Sequence, residues 1–196
     1  AIKNYLAQKG FSQVDVEQLD GEGYRRQRRK GIVVELLRQM RSYGIGTRTV
    51  DDIFDMQWKD TRLARSAVGL SMLALTWLVT RFMRRNSVVM KGVIALENWL
   101  DSPRVHDEFF NKYRFDAVVL TSQGTFDNDC YVIREAKRHD VQVISYLLSW
   151  DNTTVRGLGV NLNDHIIVWS DIMKKELVDL HSIEKTIVSV GGVPHY

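Results

Sequence analysis

Four short runs rich in Val, Ile and Leu recur through the second half of this chain: "FDAVVLTS" (115–122), "VQVISYLL" (141–148), "DHIIVWS" (164–170) and "KTIVSVGG" (185–192). Each has the length and β-branched content of a strand. Between the first two lies "FDNDCYVIREAKRHD" (126–140), and between the last two "DIMKKELVDLHSI" (171–183), each with helical character. Asp127 is the expected N-cap of the first helix, and Ser170 or Asp171 of the second. Strands joined through helices of about a dozen residues require right-handed crossovers and a parallel sheet. The nearly unbroken apolar character of the runs predicts that both faces of the sheet are covered. The expectation is an α/β fold, a Rossmann-like parallel sheet flanked by helices. Ligands of such sheets bind beyond the carboxyl ends of the strands.

The first half is less regular. "GIVVELLRQMRSY" (31–43) has helical spacing and a basic last turn, whereas "GIGTRTVDDIFDMQWKDTR" (44–62) is less regular. A helical insert is expected around residues 50–90. Its centre, "LARSAVGLSMLALTWLVTRFM" (63–83), is apolar on nearly every face. The uncharged run is only Ser66 to Thr80, bracketed by Arg65 and Arg81. It falls short of the roughly 18–20 residues that cross a bilayer. A helix buried in the fold or packed on a partner is expected, or one lying in a membrane interface. At the N-terminus, Ile2, Tyr5, Leu6 and Lys9-Gly10 predict the last turns of an amphipathic helix with a glycine C-cap. Val14, Val16 and Leu19 then predict a strand. A chain that opens inside a helix and ends just past a strand reads as one domain, residues 1–196, cut from a longer protein.

The chain carries a net charge of +3, concentrated in "RRQRRK" (25–30) and "RFMRRN" (81–86). Such runs suit a solvated basic face or anionic lipid head groups. Nucleic acid is disfavoured, because no aromatic-interleaved RNA motif accompanies them. Cys130 is the only cysteine, which excludes a disulfide framework and points to a reducing, cytoplasmic setting, with the inner face of the membrane as an option. No Cys/His spacing suits a structural zinc site, so no metal is expected.

Two polar clusters fall at the expected carboxyl ends of strands. In "TSQGT", Ser122, Gly124 and Thr125 either cradle an anion at the following helix N-terminus or form a plain turn. The glycine spacing of a dinucleotide or Walker loop is absent. In "SWDNTT", Ser149, Asp151, Asn152 and Thr153 offer a carboxylate, an amide and hydroxyls suited to hydroxyl-rich or phosphorylated ligands, unless they simply form an Asx or ST turn. Trp150 is expected to pack beneath that loop or to serve as a sugar platform. Asp127 and Asp129 read as helix-start residues rather than metal ligands. His106, His139 and His181 read as surface residues on helices, His165 as a cap at a sheet edge, and Cys130 as core. No His stands beside a Ser or Cys in a nucleophile motif, so no covalent triad is expected.

From Phe115 onward the order of motifs resembles the N-terminal half of bacterial GT-B glycosyltransferases, especially surface-carbohydrate members and the CDP-glycerol glycerophosphotransferases. The segments carrying the likeness are Ser149–Asn152, Val168-Trp169, Leu180–Ile183 and Gly192–Pro194. It covers about the last 80 residues; Val190-Gly191-Gly192-Val193-Pro194 departs from the family's usual Thr-Gly-x-Pro. The resemblance implies an acceptor-side domain whose first strand and C-terminal, donor-binding domain lie outside residues 1–196. It also implies a nucleotide-activated donor as substrate, an acceptor sugar or lipid as partner, and neither a cofactor nor an obligatory metal. The catalytic base stays unassigned, with Asp151 its one candidate. Two rival readings are a self-contained Rossmann-like module binding a sugar or nucleotide, and a nucleotide-sugar epimerase.

Overall fold

In the computed structural model, which describes residues 9–10 and 18–193, six helices precede the sheet: α1 (Gly21–Gln27), α2 (Ile32–Tyr43), α3 (Arg48–Leu63), α4 (Ala67–Met83), α5 (Ser87–Leu100) and α6 (Asp107–Tyr113). Then come β1 (Ala117–Leu120), α7 (Asp127–Arg138), β2 (Gln142–Tyr146), β3 (His165–Val168), α8 (Asp171–His181) and β4 (Val188–Val190). A 3-10 turn at Trp150–Thr153 follows β2, and another at Lys185–Ile187 leads into β4. The predicted helix end before Gly10, the strand through Val14 and Val16, and Pro194 lie outside the described residues.

The strands are all parallel, in the order β1-β2-β3-β4, with Val118 opposite Val143, Ile166 opposite Val188 and Val168 opposite Val190. The α/β class and the parallel sheet flanked by helices are thus as expected. Among the described residues, covering of both faces is not. The strand order never reverses, so successive right-handed crossovers put α7 and α8 on the same face. Leu120, Val143, Ser145, Ile166, Val168 and Val188 are buried on that face. The opposite face is more open, and Val119 is 68% exposed on the edge strand β1. A run of Val and Ile does not distinguish a strand covered twice from one covered once at the edge of a sheet.

Several local rules decide the helix ends. The Ser170 hydroxyl accepts from the Met173 amide and starts α8 as expected. At α7 the cap position is taken by Phe126 with no side-chain cap, and Asp127 is instead the first helical residue. The less regular segment forms α3, which buries only Val50 and Phe54, one turn apart. That stripe is too narrow to stand out among its charges. α4 is only partly buried: Leu73, Thr76, Thr80 and Met83 face inward on α2, while its other side is open.

The helical unit is joined to the sheet layer by buried charges. Arg41 Nε on α2 and Arg134 Nη2 on α7 each donate to the Glu97 carboxylate of α5 at 2.8 Å. Asp101, just after α5, accepts from Arg38 Nη2 at 2.7 Å and from the Tyr131 hydroxyl at 2.9 Å. Glu97 and Asp101 are fully buried, and Arg41 and Arg134 nearly so. Charges removed from water this completely are tolerated only when paired and hydrogen-bonded, which fixes the relative placement of α2, α5 and α7.

Candidate functional site

The loops following β1 and β2 lie side by side at the carboxyl edge of the sheet, and a buried histidine fastens them together. His181, in the last turn of α8, is 2% exposed rather than at the surface. Its Nε2 lies 2.8 Å from the Thr153 carbonyl, which can only accept, so Nε2 carries the proton. Nδ1 must then accept, and Gln123 Nε2 donates to it at 3.1 Å. This orientation leaves Gln123 Oε1 buried without a hydrogen-bond partner among the described residues. Burial pushes the imidazole pKa down to about 4, against the opposing pull of the Thr153 carbonyl, and the ring is held neutral.

Other contacts reinforce the clamp. The Arg41 guanidinium donates to the carbonyls of Leu158 at 3.1 Å and Gly124 at 3.4 Å. Arg156 lies over the Phe126 ring at 4.7 Å, which joins the second loop to the first on the solvent side. Gly159 passes so close to the first loop that a Cβ there would lie 2.3 Å from the Gln123 carbonyl oxygen.

The expected site residues divide into two groups. Ser122 is buried, donates to Asp129 Oδ2 at 2.6 Å and accepts from the Gly124 amide at 3.1 Å. Gly124 adopts φ +81°, and a Cβ there would meet Val160 at 2.7 Å, so its role is to turn the chain. Thr153 is buried as well, its carbonyl on His181 and its hydroxyl donating to Glu176. The Ser149 hydroxyl donates to Asp151 Oδ1 within a compact turn in which the Thr154 amide returns to the Asp151 carbonyl. These four residues therefore build the loops.

Thr125, Asp151 and Asn152 are half-buried, and Trp150 is 68% exposed, which corrects the expectation that it packs beneath the loop. Thr125 lines a cavity of about 580 Å³ with Arg25, Thr121, Phe126, Asn128 and Asp129. The Thr125 hydroxyl is buried there without a partner among the described residues. This opening brings one cation, Arg25, together with hydroxyl, amide and carboxylate groups, and Arg156 lies over the ring of Phe126 in its wall. Such a set can orient a phosphorylated or hydroxyl-rich molecule.

Sequence reasoning missed Arg156, the Gln123–His181 clamp and the placement of Arg25 beside the loop after β1. Arg156 stood in view in "TTVRG"; Arg25 was visible as the first residue of the basic run 25–30, but it comes from a helix about a hundred residues away and nothing local tied it to these loops. The remaining histidines are structural. His106 Nδ1 is 2.9 Å from the Tyr24 hydroxyl, and His139 Nε2 is 2.9 Å from Asp107 Oδ1. His165 lies on β3, an inner strand rather than a sheet edge, and meets Ser189 on β4 at 2.8 Å. Cys130 is buried in the core as expected. Among the described residues no group of three or more His, Cys, Asp or Glu could hold a metal ion. No protein-family model, curated protein or solved structure matches the chain.

Proposed function

We propose that this chain is the acceptor-side domain of a nucleotide-sugar-dependent glycosyltransferase, or of a related glycerophosphotransferase, acting on a cell-surface or polysaccharide acceptor. The observation that carries this reading is the pairing of the two polar loops through His181 beside an opening lined by Arg25 and by Phe126, over whose ring Arg156 lies. The motif order from Phe115 to Gly192 supports it independently.

In this reading the loops hold the acceptor, and the donor nucleotide is held by a second lobe. A base takes the proton of the acceptor hydroxyl as its oxygen attacks the activated carbon or phosphorus of the donor. The bond to the nucleotide leaving group breaks, and positive dipoles and cations stabilise the departing phosphate. Asp151 is the carboxylate of the second loop and the candidate base. Trp150, exposed beside it, offers a face on which a sugar ring can rest.

The test is calorimetric titration of a panel of nucleoside diphosphates and nucleotide-sugars onto residues 1–196 and onto the same residues joined to their following reading frame. Nucleotide binding to the longer protein alone is the expected result. Equal binding to residues 1–196 would replace this reading with a self-contained binding module. Isomerised nucleotide-sugar formed without consumption of an acceptor would replace it with an epimerase.

A further inference from the structure

α4 and α5 lie side by side, both packed on α2, and each turns an apolar stripe away from it. On α4 the stripe runs through Val68, Leu75, Leu78 and Phe82, at spacings of three, four and seven residues. On α5 it runs through Val88, Gly92, Ala95 and Trp99, also exposed and also spaced by threes and fours. Both spacings keep residues on one helix face, so the two stripes form a two-helix apolar face in contact with water. Phe82 is 60% and Trp99 77% exposed, and an apolar face of this extent marks an interaction surface rather than scattered surface residues.

Charge identifies the occupant. From Ala64 to Leu96 there is no Asp or Glu, and there are five cations: Arg65, Arg81, Arg84, Arg85 and Lys91. Arg84 is paired with Asp51 of α3 at 2.5 Å, and Lys91 reaches Glu184 at 3.9 Å. Arg65, Arg81 and Arg85 make no ion pair among the described residues, and Arg81 lies over Trp77 at 4.7 Å. A second copy seated face to face would bring these cations against their own kind, so charge disfavours self-association. Among the described residues, no helix is long and apolar enough to cross a membrane.

We propose that the outer face of α4 and α5 docks on an anionic lipid bilayer, with the stripes at the level of the acyl boundary and Arg65, Arg81 and Arg85 among the head groups. This inference is independent of the transferase reading, since it uses neither polar loop.

The test is co-sedimentation of residues 1–196 with vesicles of phosphatidylcholine alone and of phosphatidylcholine mixed with phosphatidylglycerol. Binding is expected to the mixed vesicles and to fall steeply with added salt. Changing Arg65, Arg81 or Arg85 to Gln lowers the partition by about fivefold per charge removed. Phe82→Ser with Trp99→Ser lowers it further, whereas Arg104→Gln, an exposed cation before α6, leaves it unchanged. Equal binding to both vesicle types, an equal loss with Arg104→Gln, or no binding together with a stable dimer in solution would each overturn the proposal. Retained circular dichroism separates loss of docking from loss of fold.

Discussion

His181 is the side chain on which the pairing of the two loops depends, and its chemistry gives a signature in pH. Its folded pKa is lowered from 6.5 to about 4, so on acidification the unfolded chain takes up a proton first. The associated stability is complete above pH 6.5, is lost between 6.5 and about 4, and does not change further below that window. The shift corresponds to roughly 3 kcal/mol across the window. Denaturant titrations at a series of pH values should show this slope, and His181→Gln should flatten it. An unchanged slope in the variant would mean that another group carries the acid sensitivity. Trp150 offers the converse case. Because it is exposed, Trp150→Ala should change stability by about 0.5 kcal/mol or less while weakening ligand binding. A large loss of stability on thermal melting would show that the ring packs inside the fold after all.

Glycine roles separate the loops from the helices. At Gly159 a Cβ would fall 2.3 Å from a backbone oxygen, and backbone cannot step aside as a side-chain end can. Gly159→Ala should therefore cost at least about 2 kcal/mol. At Gly92, inside α5, a Cβ meets nothing within 4 Å, and Gly92→Ala should stabilise by about 0.5–1 kcal/mol. Urea midpoints of the two variants should move in opposite directions, and movement in the same direction would contradict these environments. The same elements explain what could be read from sequence. α8 announced itself through its Ser170 cap and its helical character, and the strands through their β-branched runs. α3 stayed hidden because its inward stripe is only Val50 and Phe54. The more open side of the sheet among the described residues was also hidden, because with right-handed crossovers coverage depends on whether the strand order reverses, and no strand records that. Loop positions were legible as polar clusters after strands, but not which hydroxyls turn inward. Ser122 and Thr153 look the same in sequence as Thr125, yet only Thr125 of the three lines the cavity.

The molecule as a whole is a sheet layer and a helical unit held in fixed relation by Glu97 and its two arginines. Glu97→Gln would weaken the pairing of both buried guanidinium groups, and a loss of about 3–5 kcal/mol is expected. Guanidinium unfolding should register it, and a loss near zero would mean that water reaches the cluster. This rigidity matters because Arg41 reaches from that cluster to the carbonyls of Gly124 and Leu158, within the segments that form the candidate site. The central claim is that the loop after β1 and the loop after β2 form one binding surface. Its most direct test is backbone amide NMR of residues 1–196 titrated with glycerol 3-phosphate, a small molecule that combines hydroxyl and phosphate groups. The account predicts concerted, saturable shifts in Thr121–Asn128 and Trp150–Arg156 with a common affinity. Shifts confined to one loop, or centred elsewhere in the molecule, would contradict it.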